Sequence, residues 1–265
     1  MSDARYEYQM PAYYRKRMRI RRRRVRFLFV SVLCLLSFLL GWFLKPTPSE
    51  ADRTITAGST DPVEETVSGT VATVDINNLP WNLILANFAY PIPNDPDIDL
   101  KSLLNGESVD ARIYPSLKGM LDDMSKIGLD PIVCSSFRTW ETQEYLYNNR
   151  IQEYMADGYS KSDAIVAAGR WVAIPGTSEH QLGLAVDIVD AENQHLDESQ
   201  METKVFKWLE EHCHEYGFIL RYPPAKSHIT GIEYEPWHFR YVGIEAASEI
   251  MSRGICLEEY LGILD

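Results

Sequence analysis

The chain has 265 residues, of which 45% are hydrophobic and 24% are charged. This composition excludes a chain that is disordered throughout and a protein with many membrane spans. The four cysteines are too few and too scattered for a disulfide framework or a cysteine-rich zinc module. Once the N-terminal segments described below are set aside, about 185 residues remain, which is enough for one domain with a buried core.

The formal net charge of −12 is the sum of two opposite parts. Residues 1–26 contain ten Lys and Arg residues against Asp3 and Glu7, a charge of +8, so the rest of the chain carries −20. Residues 27–44 follow directly and contain no charge. As a helix they would span about 27 Å, close to the thickness of a bilayer core. The sequence therefore predicts a basic cytoplasmic arm at 1–26 and one transmembrane helix at 27–44, with the C-terminal part outside the cell membrane.

A cleaved signal peptide would also have a basic start followed by an apolar centre. The long arm, the length of the apolar run and the lack of a small-x-small cleavage site after Leu44 favour a retained anchor. Lipidation at Cys34 is disfavoured because Leu33 stands where a lipoprotein signal needs a small residue. No nucleic-acid partner is expected, because a basic arm that adjoins an apolar span is typical of a membrane flank.

Residues 45–78 are rich in Thr, Ser, Pro, Gly and acidic residues, which predicts a flexible linker before a domain at 79–265. Within this domain, apolar residues with a period of two predict strands, and those with helical spacing predict helices. The predicted strands are 131–136, 184–189, 218–221 and 237–242, with a strand or a buried lead-in at 82–89. The predicted helices are 115–127, 139–155, 160–168, 201–216 and 244–253, with Ser160 as an N-cap. This mixed order indicates an α+β fold, in which helices cover a small, largely antiparallel sheet.

The first group of candidate site residues lies at 175–187. Strand alternation places Val186 on the packed face and Asp187 on the opposite one. Gly183 allows the chain to bend. His180 and Asp187 can therefore converge on one ion.

The second group begins at Glu235. Alternation places His238 and Arg240 on the face opposite the packed aromatic residues. Glu235 would point away from His238 in an ideal strand, but Pro236 interrupts the strand and permits Glu235 to return toward the metal. Two histidines and one carboxylate make a three-ligand zinc site with an open position for water. An adjacent unligated carboxylate would then be the general base.

A third group surrounds Arg138, at the predicted junction between a strand and a helix. At such a junction a cation and a helix N-terminus both face the ligand. Arg138 is therefore a candidate to stabilise the oxyanion of a tetrahedral intermediate. Gln143, four residues after Thr139, is expected near the same end of the helix.

The three groups occur in a distinctive order. The pattern S-x-H-x-x-G-x-A-x-D occupies 178–187, E-x-W-H occupies 235–238, and S-x-F-R-x-x-x-x-Q lies upstream at 135–143. Together they closely resemble the zinc D-alanyl-D-alanine carboxypeptidase family, of the vancomycin-resistance D,D-carboxypeptidase type, over about 79–242. The resemblance implies that zinc is bound by His180, Asp187 and His238. It also implies a catalytic base at Glu235, a carbonyl-stabilising Arg138, and substrate contacts from Ser178 and Gln143.

The resemblance implies removal of the terminal D-alanine from peptidoglycan stem peptides, with zinc as the cofactor and no organic cofactor. L,D-carboxypeptidases and peptidoglycan endopeptidases share the metal set, and a non-catalytic zinc-containing cell-wall module is an alternative that an intact Glu235 argues against. A non-haem iron site is disfavoured because His180 and Asp187 are seven positions apart rather than two. The oligomeric state is not predicted. The three cysteines after residue 44 are expected as buried thiols, with a bridge between Cys213 and Cys256 left open.

Overall fold

The computed structural model describes residues 78–92 and 96–263, all of which belong to the unit Gly69–Asp265. The predicted basic arm, the predicted transmembrane helix and all but the last residue of the predicted linker lie outside the described residues. Within the described ranges, no helix is long and apolar enough to span a lipid bilayer.

A short antiparallel hairpin precedes the main sheet. Its strands are β1 (Leu100–Ser102) and β2 (Ser108–Asp110). Phe137 N donates to the Ser108 carbonyl at 2.8 Å, which attaches the hairpin to the segment that carries Arg138. The hairpin is absent from the sequence prediction, because three residues per strand are too few to show a period of two.

Among the described residues, the main sheet has four strands, and they are antiparallel. They are β3 (Pro131–Ser135), β4 (Ala185–Asp190), β5 (Phe218–Leu220) and β6 (His238–Tyr241). Their spatial order is β3, β4, β6, β5, so β4 and β6 are bonded to a neighbour on both sides. Each strand begins and ends within one residue of its predicted bounds. The predicted α+β fold with a small antiparallel sheet is therefore confirmed.

Residues 82–89 form the buried lead-in rather than a strand, and Leu85 is one of the core residues that they contribute. The carbonyls of Asn82 and Ile84 accept hydrogen bonds from the guanidinium group of Arg240, at 3.1 and 2.7 Å. Because a side chain satisfies these backbone groups, the segment needs no neighbouring strand.

Helices surround the sheet. The α-helices of the described residues are α1 (Tyr114–Lys126), α2 (Trp140–Ala156), α3 (Lys161–Gly169), α4 (Lys204–His212), α5 (Ser227–Thr230), α6 (Ile244–Arg253) and α7 (Leu257–Tyr260). Short 3-10 helices lie at Trp81–Leu83, Glu179–Leu182, Glu198–Glu202 and Cys213–Tyr216. Helices α1, α2, α3 and α6 lie within one residue of their predicted bounds. Ser160 caps α3 as predicted, because its hydroxyl accepts from Asp163 N at 3.2 Å.

The predicted helix at 201–216 is divided in the structure. The Thr203 hydroxyl accepts from Phe206 N at 3.1 Å and caps α4, so the α-helix begins one residue later. After α4 the chain tightens into a 3-10 turn that ends at Gly217. A capping residue inside the apolar pattern therefore sets the start of the helix.

The two faces of the sheet have different neighbours. On one face, Val186 and Phe239 pack in the main core with helix residues such as Leu117 of α1 and Leu209 of α4. On the other face, Ile219 of β5 packs in a second cluster with the C-terminal helices. On that same face the central strands β4 and β6 carry buried polar side chains. Strand alternation thus places a buried polar region beside an apolar one.

The cysteines of the described residues are free thiols. Cys213 and Cys256 are buried, and no disulfide joins them in the part of the chain that the structure covers. Burial raises the pKa of the Cys213 thiol to about 12. Cys134 on β3 is exposed, contrary to the expectation that all three thiols are buried, because strand alternation directs its side chain away from the main core that Val133 enters.

Candidate metal centre

Asp187 and His238 lie opposite one another on the central strands β4 and β6. Cross-strand neighbours on one face of an antiparallel pair have Cβ atoms only about 4.5–5.5 Å apart. Asp187 Oδ1 lies 3.2 Å from His238 Nδ1, and both side chains are buried. The register of the sheet therefore brings together two residues that are distant in the sequence.

His180 reaches the same point from the 3-10 helix Glu179–Leu182, which leads into β4. Gly183 ends this helix with a φ of +65°, and a Cβ atom there would lie 2.9 Å from Asp110 N. Only glycine tolerates both conditions. The predicted bend is thus present, and it places His180 Nε2 3.4 Å from Asp187 Oδ1.

His180, Asp187 and His238 fit a metal ion and form the candidate metal centre, called the metal centre below. One candidate ligand atom from each lies within 4.8 Å of the other two. Asp187 Oδ1 is buried and has no hydrogen-bond partner among residues 78–92 and 96–263. A buried carboxylate oxygen without a partner is costly in free energy, and a cation would satisfy it. Two imidazole nitrogens and one carboxylate oxygen are a ligand set typical of catalytic zinc.

The other ring nitrogen of His180 is held by the backbone. Nδ1 donates to the Ser136 carbonyl oxygen at 2.7 Å, which leaves Nε2 without a proton and directed at Asp187. Burial, and after it the charge of Arg138, lowers the pKa of His180 to about 4. The imidazole is therefore neutral at physiological pH, as metal binding requires.

Glu235 lies beside the metal centre without being part of it. A turn at Pro236 brings His238 N to the Glu235 carbonyl at 3.1 Å, and Glu235 Oε2 lies 3.8 Å from His238 Nδ1. The return of Glu235 that Pro236 permits is therefore observed. Burial, reinforced by the charge of Asp187, raises the pKa of Glu235 to about 8.

Arg138 binds the second carboxylate oxygen of Asp187. Its Nη2 donates to Asp187 Oδ2 at 2.8 Å, and its Nε and Nη2 donate to Ser135 Oγ at 2.9 and 2.8 Å. Its Nη1 donates to Gln143 Oε1 at 3.3 Å, while Gln143 Nε2 donates to the Ala173 carbonyl at 2.7 Å. The guanidinium group is thus held from three sides at the edge of the metal centre.

The family model described as VanY, D-alanyl-D-alanine carboxypeptidase, matches residues 106–244, which include all seven predicted site residues. A D-alanyl-D-alanine carboxypeptidase of Enterococcus faecalis is 42% identical over 242 residues, which cover 88% of each chain. The chain belongs to the D-alanyl-D-alanine carboxypeptidase family.

Two solved structures from this carboxypeptidase family resemble the chain. A mutant of the vancomycin-resistance D,D-pentapeptidase VanY in complex with Zn(II) has a TM-score of 0.64 and 49% identity, over 69% of this chain and 99% of that chain. VanYB in complex with D-alanine-D-alanine also has a TM-score of 0.64, with 48% identity over 70% of this chain and 100% of that chain. The zinc complex agrees with the ligand set found here, and the predicted class, a zinc-dependent carboxypeptidase, is confirmed.

The two residues predicted to bind the carboxypeptidase substrate differ in their surroundings. Ser178 is buried two positions before His180, at the start of the 3-10 helix, and its substrate contact stays a prediction. Gln143 is fully buried, and both polar ends of its amide are bonded within the protein. The structure therefore favours a role of Gln143 in supporting Arg138 over the direct substrate contact that the resemblance implied.

Sequence reasoning missed two residues that support the histidines of the carboxypeptidase. Ser136 provides the carbonyl for His180, and Glu179 places its Oε2 3.6 Å from His238 Nε2. Burial disfavours the charged form of His238, but interactions with Asp187 and Glu179 outweigh it and raise the pKa of His238 to about 9. Glu179 directly precedes His180 inside the motif, and this adjacency is the signal that points to it.

Proposed function

We propose that the domain removes the C-terminal D-alanine from peptidoglycan stem peptides, with zinc held by His180, Asp187 and His238. The observation that carries the proposal is the buried Asp187 Oδ1, which faces both imidazoles while the Glu235 carboxylate stands beside them. The chain belongs to a family named for this reaction, and one of its structural relatives binds D-alanine-D-alanine.

Glu235 is the proposed proton carrier of the reaction. When bound, zinc polarises the scissile carbonyl and activates water. Glu235 accepts a proton from the attacking water and later donates it to the leaving amine. With a pKa of about 8, Glu235 would be mainly protonated at neutral pH in the metal-free site. The carboxylate form of Glu235, which the reaction needs as base, would be favoured if a cation were held by the neighbouring ligands.

Arg138 is proposed to stabilise the negative charge that develops on the carbonyl oxygen of the scissile bond. Its contacts with Ser135, Gln143 and Asp187 hold the guanidinium group in place before substrate arrives. A donor that is already oriented costs little reorganisation when charge develops in the transition state. Ser178, which is buried two positions before His180, is proposed to hydrogen-bond the terminal carboxylate or the backbone of the substrate, as the family resemblance implies.

The reaction is tested by incubating the purified chain with muropeptides of defined stem length and analysing the products by mass spectrometry. We expect the loss of one D-alanine from pentapeptide stems. Glu235→Ala should retain about one zinc per chain and lose turnover. Loss of D-alanine from tetrapeptide stems would instead identify an L,D-carboxypeptidase, and cleavage of cross-linked peptides would identify an endopeptidase. Zinc binding without cleavage would identify a non-catalytic cell-wall module.

We also propose that residues 27–44 anchor the protein in the cell membrane, with its N-terminus in the cytoplasm and its catalytic domain outside. The support is an uncharged run that follows ten basic residues. The linker of roughly 30 residues would let the domain reach the wall above the membrane. The full chain should sediment with membranes, whereas a variant that lacks residues 1–44 should stay soluble. Recovery of the full chain in the soluble fraction would contradict the anchor.

A further inference from the structure

A buried ion network lies behind the metal centre and consists of Glu179, Arg221, Arg240 and Glu258. Glu179 is its central member, since its Oε1 accepts from Arg221 Nε and Arg240 Nη1, both at 2.7 Å. None of the four side chains exposes more than 3% of its surface. Charges so far from water must be balanced inside the protein.

The two arginines of the network are fixed by their other contacts. Arg221 donates to both carboxylate oxygens of Glu258, at 2.9 and 2.7 Å. Arg240 donates to two backbone carbonyls of the lead-in at 82–89. Because both guanidinium groups are anchored elsewhere, they hold the Glu179 carboxylate in one orientation.

This orientation directs the second carboxylate oxygen of Glu179 at His238. Glu179 Oε2 lies 3.6 Å from His238 Nε2, and neither atom has a hydrogen-bond partner within the ranges that the structure describes. On the opposite side of the ring, His238 Nδ1 lies 3.2 Å from Asp187 Oδ1. A contraction of about 0.5 Å would bring Oε2 and Nε2 to ordinary hydrogen-bond distance.

We propose that Glu179 is a positioning residue: its Oε2 accepts the Nε2 proton of His238 and so keeps Nδ1 directed at the metal. This inference rests on the zinc site of the proposed function. His180 has matching support on its own ring, where the Ser136 carbonyl accepts from Nδ1. Acceptors behind metal-bound histidines fix the tautomer and the orientation of the ring and increase metal affinity. The ion network therefore increases zinc affinity through its contact with the imidazole of His238.

The test compares the zinc affinities of Glu179→Gln and Glu258→Gln, measured on the purified full chain by competition with a chromophoric chelator. Both substitutions weaken the ion network, but only the first changes the group that faces His238. We expect Glu179→Gln to lower zinc affinity by about 10–100-fold and Glu258→Gln to leave it within about twofold, while both lower the Tm. Wild-type affinity in Glu179→Gln, or an equal loss of affinity in both variants, would overturn the inference.

A second measurement uses the wild-type chain and so does not depend on the folding of a variant. Long-range proton–nitrogen NMR of the zinc-loaded protein reports which ring nitrogen of each histidine carries a proton. We expect the proton of His238 on Nε2, and a proton on its Nδ1 would overturn the inference. If the wild-type chain binds no zinc, the proposed function fails. If it binds zinc with the opposite tautomer of His238, only the role of Glu179 fails.

Discussion

The metal centre and the buried ion network stand side by side in the fold, and both hold charged groups away from water. In the network, two arginines balance two glutamates, and their charged groups bind one another directly. In the metal centre, Asp187 Oδ1 faces two imidazoles and lacks a hydrogen-bond partner in the described part of the chain. Glu179 Oε2 in the network also lacks a partner among these residues, but it faces one imidazole, whereas Asp187 Oδ1 faces two. The comparison separates a scaffold from a binding site, because a buried oxygen that converges with two imidazoles is the arrangement a cation completes.

Replacing Asp187 should have the largest effect, because the metal centre would lose the oxygen that faces both imidazoles. We expect Asp187→Ala to lower zinc affinity by more than the roughly 10–100-fold that a supporting acceptor contributes. Metal analysis and chelator competition measure the loss. Asp190→Ala, at the end of the same strand, is the matched control and should bind zinc as the wild type does. Full zinc occupancy in Asp187→Ala would contradict the ligand assignment.

Replacing Arg221 should instead destabilise the fold, because Arg221 belongs to the buried ion network. Arg221→Met leaves Glu179 and Glu258 buried without one partner, and such a loss costs about 3–5 kcal/mol of unfolding free energy. Denaturant unfolding of the metal-free chain measures this loss of unfolding free energy. Arg253→Met breaks an exposed pair with Glu249 on α6 and should cost no more than about 1 kcal/mol. Similar losses in the two variants would show that the buried network adds nothing to stability beyond a surface pair.

Arg138 links the catalytic chemistry to the metal centre, since it binds Asp187 without being a metal ligand. We expect Arg138→Ala to lower kcat by about 10²–10³-fold, or about 2.7–4 kcal/mol of barrier, as for the loss of an oxyanion donor. Gln143→Ala should cause a smaller loss in the same direction, because its Oε1 accepts from Arg138. Steady-state kinetics measures both, with Arg253→Ala as the control. An unchanged kcat in Arg138→Ala would remove this residue from the mechanism.

The metal centre could be predicted from the sequence because its residues lie in short motifs with local signals. Gly183 indicated the bend that brings His180 to β4, and its positive φ and close approach to Asp110 explain why glycine is needed. Pro236 indicated the break that returns Glu235 to the centre. Most long periodic segments were predicted equally well, because the apolar pattern of each is contained within the element itself. The segment 201–216 is the exception, because Thr203 caps a helix inside the apolar pattern.

The ion network could not be predicted in this way. Alternation places Arg240 on the same face as His238, and nothing in the local sequence indicates that this face is closed. Arg240 is buried because Glu179, 61 positions away, and the carbonyls of the lead-in surround it. Pairing between such distant residues depends on the packing of the whole sheet and cannot be predicted from the spacing of nearby residues in the sequence. The same interaction explains why the lead-in is not a strand.

Replacing Glu235 should have an effect that depends on pH, because Glu235 is a buried carboxylate outside both the metal centre and the ion network. In the metal-free chain, burial raises its pKa from 4.5 to about 8, so the folded state favours the protonated form. The corresponding stability is fully present below pH 4.5 and is lost as the pH rises through about 8. Glutamine cannot ionise. Glu235→Gln should therefore match the wild type near pH 4.5 and unfold on the order of 10 °C higher above pH 8.

Thermal unfolding in the presence of a chelator, followed from pH 4.5 to above pH 8, measures the difference in Tm between Glu235→Gln and the wild type. Glu245→Gln is the control, because Glu245 is an exposed carboxylate at the start of α6. Its Tm difference from the wild type should not widen with pH. A Tm difference that narrows with rising pH in Glu235→Gln would mean that the buried carboxylate is stabilised in its charged form. In that case Glu235 would be ionised before the cation arrives, and its competence as a base would not depend on zinc.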